Sequence, residues 1–533
     1  MNEAYAIPAV AVVVLATVLI GGFGLRISRT TSDFYVASRT VGPRLNAAAI
    51  SGEYLSAASF LGVAGLVLAH GPDMLWYPVG YTAGHLVLLV FVAAPLRRSG
   101  AYTLPDFAEG RLESRQVRRV VSMLVVGAGW LYLVPQLQGA GLTLQILTGA
   151  PRWFGAALVA AVVVLAVAAG GMRSITFVQA FQYWLKLTAL LVPAFFLLLA
   201  WRGQGGHPPA PAPADLPPAG AGAGQPLATS RADHPLYATY GLIVATFLGT
   251  MGLPHVVVRF YTSPHGRAAR RTTVVVLLLI GVFYLLPPLY GWLGRQYVPE
   301  LTTAQDADAT VLLLPGRMID GIAGDLLGAL VAGGAFAAFL STASGLTMAV
   351  AGVVSQDVLP SRGVRHFRLG VVLAMAVALG GALLVDGVPV ADAVGMAFAV
   401  SASSFCPLLV LGIWWRRLTP PGALAGLFLG GGSALLAVTL TVSGAATSGW
   451  LHTLLAWPAV WSVPVGFLAM ILVSLATPTA IPPHTTATMT RLHLPETLKP
   501  YGPLTARAEP RTERRADPPA TPPAPPTARG TTT

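Results

Sequence analysis

The segment AAAISGEYLSAASFLGVAGLVLAHG, residues 47–71, is apolar enough to cross a membrane yet carries a carboxylate, Glu53, among its first two turns. A charged side chain at the centre of a membrane helix costs at least ~2.5 kcal/mol on insertion scales, so Glu53 needs a partner, water or an ion pathway. Gly52 interrupts the same turns, and Ser51, Ser56 and Ser59 crowd around them. The segment therefore reads as a helix broken at Gly52, and irregular backbone at membrane depth is tolerated only where it lines a cavity or is covered by protein. A solvated carboxyl near the mouth of the span is the other reading of Glu53.

The rest of the chain agrees with a membrane setting. Of 533 residues, 54% are hydrophobic and 10% charged, with mean hydropathy +0.67; soluble proteins carry about 25% charged residues. Apolar runs fall near 5–25, 45–70, 75–96, 120–148, 153–172, 175–201, 238–260, 272–296, 325–356, 369–386, 388–413, 421–443 and 455–476, which makes thirteen spans. An all-α integral membrane protein follows, and soluble enzymes, nucleic-acid binders and secreted disulfide scaffolds are excluded. Asn2 and Glu3 precede the first run, where a secretory signal would have a basic region, so the run reads as a retained helix. The formal charge of +12 comes from arginines in short stretches between the runs, a membrane pattern rather than a nucleic-acid one. Cys406 is the sole cysteine, which excludes an intrachain disulfide, and Lys186 and Lys499 are the only lysines. Arginine in place of lysine, with abundant Ala, Gly and Pro, suggests a GC-rich bacterial genome.

The connecting segments alternate in charge. Arg97 with Arg98, Arg267 with Arg270 and Arg271, and Arg416 with Arg417 cluster in odd-numbered segments. The positive-inside rule makes these cytoplasmic, with the amino terminus outside and the carboxy terminus inside a bacterial plasma membrane. Residues 203–235 read as an external flexible loop, and 477–533 as a disordered cytoplasmic tail after a membrane domain of 1–476. Spans 2 and 7 then run in opposite directions. The blocks at about 45–201 and 238–413 become inverted five-helix copies, an architecture shared by many secondary transporters.

Further polar groups lie inside the spans. Ala338, Ser341 and Thr342 are spaced i, i+3, i+4 and share one face of span 9. Paired hydroxyls with freed carbonyls suit a hard cation such as sodium; close helix packing by small residues is the alternative. GLPHVVVRF at 252–260 should break span 7 at Gly252 and Pro254. Lys186, the basic group read as deepest in a span, could neutralise Glu53, attract an anionic substrate or snorkel to the interface. Tyr77, Tyr81, Tyr132, Gln136 and Gln138 add hydrogen-bonding groups. No Walker loop, His/Glu metal spacing or nucleophile elbow occurs, so an ATP-driven pump, an enzyme and a bound cofactor are not expected.

The motifs DFYVASR (33–39), SGEYLSAASFLG (51–62), TLPDF (103–107), YLVPQLQGAG (132–141), GGMRSITFVQAFQYWLK (170–186), GLPHVVVRF (252–260), AAFLSTASGLTMAVAGVVSQDV (337–358) and SSFCPLLVLGIWWRRLTPPGALAG (403–426), in this order, resemble the sodium:solute symporter family, and within it the acetate and monocarboxylate permeases. The resemblance implies a LeuT-like inverted 5+5 repeat core with one leading and two trailing helices. It implies a sodium site made by the carbonyls of Ala47, Ile50 and Ala338 and the hydroxyls of Ser341 and Thr342. Substrate would lie between spans 2 and 7, near Ser51, Tyr54, Tyr81, Gln136, Gly252 and Ser403, with Glu53 and Lys186 as coupling groups. The implied activity is sodium-driven import of a short monocarboxylate such as acetate, propionate or pyruvate. Proline or another small organic solute, or proton coupling, is the alternative. Two departures stand out. Val178 and Gln179 replace an acidic TD-type motif linked to a second sodium, and Gly52, Glu53 and Tyr54 stand where acetate permeases have GDF. The expected partners are sodium, a small organic anion and the lipid bilayer, with no nucleic acid.

Overall fold

With no water in the bilayer to satisfy backbone groups, long apolar runs must bond within themselves as helices. The computed structural model describes residues 3–28, 30–204, 233–301, 307–359, 363–384, 390–445 and 447–496, and every regular element there is helical. The external loop expected at 203–235 lies almost wholly outside the described residues. The helices that matter here are α1 (Glu3–Ile27), α2 (Pro43–Tyr54), α3 (Val63–His70), α4 (Trp76–Val87), α5 (Arg115–Thr148), α6 (Arg152–Gly203), α7 (Pro235–Gly252), α8 (Pro254–Phe260), α9 (Gly266–Phe283), α10 (Gly321–Val353), α11 (Val390–Trp414), α12 (Ala459–Ala476) and α13 (Thr485–His493).

Among the described residues, ten helices are long and apolar enough to cross a membrane, or twelve if each of two bent pairs is one span. The sequence led to thirteen. The difference lies in α6, a 52-residue run whose Gly171 leaves helical geometry at φ 54°, ψ −152°. A straight helix of that length would extend roughly 78 Å, more than twice the ~30 Å hydrocarbon thickness.

The two bent pairs are the first spans of the two blocks expected from the sequence. The chain turns by 71° between α2 and the segment Ala58–His70. This break follows Tyr54, not Gly52, which remains helical. Gly52 serves a different purpose: a Cβ there would collide with the carbonyl oxygen of Gln179, so bare backbone lets α2 touch α6. At the break, the N–H of Ala57 donates to Oε1 of Gln136 at 3.0 Å, which satisfies a buried donor that the helix has released. The second bend, 41° between α7 and α8, turns on Leu253 at ψ 116°. Pro254 follows it with no N–H to continue the ladder. α10 packs against α6, α1, α5 and α2, while α7 lies between α11 and α4.

Two of the motifs prove to be helix starts. Thr30 and Asp33 form a capping box, as do Thr103 and Asp106 of TLPDF. After Asp33 the chain holds three consecutive non-glycine residues in the left-handed region, Ala37, Ser38 and Arg39 at φ 49°, 50° and 58°. Ser38 is held by donation to Asp33 Oδ1 at 2.6 Å, and Arg39 by the Gly100 carbonyl at 2.5 Å. On the same arginine-rich side Arg118, at the start of α5, pairs with Asp106 at 2.8 Å, Glu109 at 2.6 Å and Asp357 at 2.5 Å. Asp357 lies in the π-helical turn that continues α10.

The tail is ordered further than its composition implied. α13 buries Met489 and Leu492. Arg98 donates to the carbonyl of His493 at 3.0 Å, and Glu496 accepts from Gly266 N at 2.5 Å. The expectation of a disordered tail from 477 is therefore corrected as far as Glu496; its remainder, 497–533, lies outside the described residues. Truncation tolerance follows burial and backbone bonding. Ending the chain after Glu496 should leave uptake within about twofold of the full-length protein, whereas ending it after Ala480 removes α13 and should lower the yield of folded carrier. An inserted chain that stops at Glu496 and transports nothing would contradict this.

Candidate functional site

The break after α2 is closed by α10 and α6. Thr342 Oγ1 donates to the Glu53 carbonyl at 2.6 Å, and Ser341 Oγ donates to the Ala338 carbonyl at 3.1 Å. From α6, Lys186 Nζ donates to the Leu55 carbonyl at 2.7 Å, to Ser341 Oγ at 2.9 Å and to the Gly52 carbonyl. All of these side chains are buried. Thr342 thus reaches the α2 break directly and Ser341 reaches it through Lys186, with Ala338 behind Ser341 on the same face of α10. The carbonyls met at the break are those of Gly52 and Leu55, by Lys186, and of Glu53, by Thr342. Ala47 and Ile50 lie earlier, within regular α2, where carbonyls serve the helix's own ladder.

Glu53 is neither solvated nor paired with Lys186. Its Oε2 accepts from Arg259 Nε at 2.6 Å, with the two side chains 1% and 0% exposed. Arg259 also donates to Thr176 Oγ1 at 2.9 Å and to Gln179 Oε1, and Gln179 Nε2 donates to the Ser341 carbonyl at 2.8 Å. A Cβ on Gly345 would overlap the Glu53 carboxyl, so α10 presents bare backbone to the acid. Arg259 is a second deep basic group, missed because it sits one residue from the edge assigned to span 7. The signal was available: with Pro254 starting a new helix, Arg259 follows the break by little more than a turn. Lys186 does not snorkel either, since all three of its hydrogen bonds point into the break.

The substrate candidates divide. Tyr54 donates to the Tyr81 carbonyl at 3.2 Å and shares a 2.7 Å hydrogen bond with Thr250. Its ring joins a cluster with Tyr81, His85 and Phe398, and Tyr132 continues it to His255 at 5.3 Å between ring centroids. Within and beside this cluster the hydroxyls of Ser51, Tyr81 and Ser401, Nε2 of Gln136 and both ring nitrogens of His255 have no hydrogen-bond partner. Buried polar atoms are normally paired; these six have no protein partner. Ser403 bonds to Ala399 and to Ser462 of α12, while Ser401, two residues back on α11, has an unpartnered hydroxyl. Gly252 lets α7 approach Ser401 O and Phe405 closely. His255 had been overlooked inside GLPHVVVRF.

The sodium:solute symporter family profile matches residues 34–430. This chain belongs to the sodium:solute symporter family. A protein of Bacillus subtilis (strain 168), described as uncharacterized symporter YwcA, is 31% identical over 476 residues, covering 85% of this chain and 90% of its own length. Among solved structures, a Na+-coupled sialic acid symporter in a substrate-bound outward-open state superposes with TM-score 0.65 at 13% identity, over 89% of this chain and 97% of that one. Mhp1, a nucleobase-cation-symport-1 family transporter, gives 0.54 at 13% identity over 87% and 99%. MhsT, in complex with L-phenylalanine, gives 0.52 at 17% over 81% and 98%. These likenesses carry the fold, which is LeuT-like.

Family membership makes the symporter a multi-pass membrane transporter that couples a solute to sodium, not an enzyme. Sodium, a hard cation, takes oxygen ligands. Carbonyl and hydroxyl oxygens gather at the α2 break; among the described residues no group of three or more His, Cys, Asp or Glu could hold a metal ion.

Proposed function

We propose that this symporter imports a short monocarboxylate, such as acetate, propionate or pyruvate, together with sodium held by Ser341, Thr342 and the carbonyls around the α2 break. The observation that carries the substrate reading is the set of unpartnered hydrogen-bonding groups beside the breaks, on Ser51, Tyr81, Gln136 and His255, walled by Tyr54, Tyr132 and Phe398. Hydroxyl, amide and imidazole N–H groups donate to a carboxylate, and an aromatic wall suits the apolar end of a short chain. Arg259 is committed to Glu53, so the anion's charge is met by the co-transported sodium rather than by a free side-chain cation.

One sodium with one monoanion carries no net charge, so the membrane potential adds nothing and the chemical gradients drive uptake. Access alternates around the midplane breaks, with the arginine-rich ends and carboxy terminus cytoplasmic and the amino terminus outside. The test is uptake of radiolabelled acetate into proteoliposomes, with sodium and proton gradients imposed separately. Acetate should accumulate with an inward sodium gradient, and unlabelled propionate or pyruvate should compete where proline and glucose do not. Sodium-driven proline uptake without acetate uptake would overturn the substrate assignment.

A further inference from the structure

We infer that the Lys186 ammonium is a built-in occupant of the cation site, and that sodium binds there only by displacing it. The inference rests on the sodium site proposed above. Its starting point is an account of hydrogens. Around Lys186 Nζ stand the carbonyls of Gly52 and Leu55, which can only accept, and Ser341 Oγ at 2.9 Å. The Ser341 hydrogen is directed to the Ala338 carbonyl at 3.1 Å, so toward Lys186 this oxygen also accepts. Three acceptors on one nitrogen require three N–H groups, which is the ammonium.

That ammonium stands where a coupling ion would stand. It draws on the oxygens of the α2 break and on one of the two α10 hydroxyls, and it is fully buried. Thr342 is bonded to the Glu53 carbonyl at 2.6 Å, outside the ammonium's own contacts. A sodium ion using Ser341 would take an oxygen the ammonium already uses. Two like charges cannot share adjoining oxygens in a low-dielectric interior. The two cations are therefore alternative occupants, one tethered to α6 and one free.

Two consequences follow. The apparent sodium affinity is the intrinsic affinity reduced by the fraction of carriers whose site is free of Lys186. And a carrier that has released sodium still holds a cation against the freed carbonyls, so the break is not left with unsatisfied oxygens when the empty protein reorients.

The experiment is equilibrium binding of radioactive sodium to the purified full-length protein and its variants, at one fixed pH and without substrate. Lys186→Met removes the occupant and should lower the half-saturating sodium concentration by about tenfold or more. Lys186→Arg keeps a cation on the same stem and should bind sodium no more tightly than the parent protein. Lys186→Met binding no more tightly than the parent would overturn the inference, as would equal tightening by Lys186→Arg, which would mean that packing and not occupancy is responsible.

Because Lys186→Met could fail to fold, the second readout keeps the lysine. In a Lys499→Arg background Lys186 is the sole lysine, and its acetylation by acetic anhydride is followed on its own peptide by mass spectrometry. Sodium, compared with choline, should raise the labelling rate several-fold as the ammonium leaves its oxygens; no change or a decrease would overturn displacement. The underlying site fails separately, if Ser341→Ala with Thr342→Ala leaves sodium binding unchanged.

Discussion

Arg259→Met should abolish the accumulation of stably folded carrier. The Glu53–Arg259 pair is completely buried, so neither charge is open to bulk solvent. Removing one partner of such a pair costs about 3–5 kcal/mol, because the other is left as an uncompensated charge. That is a large share of the ~5–15 kcal/mol by which a folded domain is stable. The loss is compounded at Thr176 and Gln179, which also receive Arg259 hydrogens. Glu53→Gln should be milder, since its amide oxygen can still accept from Arg259 and its size fits the bare backbone of Gly345. The double variant, Glu53→Gln with Arg259→Met, should be more stable than Arg259→Met alone, since no buried carboxylate is then stranded. Thermal unfolding in detergent, read by size-exclusion chromatography, supplies the double-mutant cycle. An Arg259→Met protein as stable as the parent would remove this pair from the supports of the fold.

Ser341→Ala combined with Thr342→Ala should raise the sodium concentration for half-maximal uptake by roughly tenfold or more, equivalent to about 1.4 kcal/mol. The two hydroxyls are the side-chain oxygens that α10 directs at the α2 break. Without them a cation keeps only carbonyls, and the Glu53 carbonyl loses its donor. Thr342→Ser retains the hydroxyl and should restore most of the affinity when Ser341 is intact, which separates loss of an oxygen from loss of packing. Uptake by the double variant with unchanged sodium dependence would remove these residues from ion binding.

Much of this was legible in the sequence because a bilayer restricts what an apolar run can become. Helices, the break at Pro254, the buried cost of Glu53 and the shared face of Ser341 and Thr342 all follow from spacing and hydropathy. The partner of Glu53 was not legible, since it depends on how α8 lies against α2 across 206 residues. Nor could sequence choose between Ser401 and Ser403. A helix turns 100° per residue, so two positions on one apolar helix face different neighbours, and only packing against α12 decides which hydroxyl is used up. The break after Tyr54 instead of at Gly52 has a similar cause. Glycine permits a bend but does not compel one, and here its missing side chain is spent on contact with α6.

The clamp at Arg118 has a mechanical meaning. It fastens the arginine-rich end of α10 to the root of α5, while the Glu53–Arg259 bridge fastens α2 to α8. Each fastening makes a stiff lever from two helices that would otherwise slide. Among the described residues the levers are joined by the hydroxyl-to-carbonyl bond of Thr342 to Glu53, by the bond of Ala57 to Gln136 of α5, and by residues on α6, Lys186 and Gln179. Deformation concentrates where a structure is most compliant, so an ion held at the proposed site would act on that seam and through it on both arms. α6, gripping both arms, acts as the strap that limits how far they part.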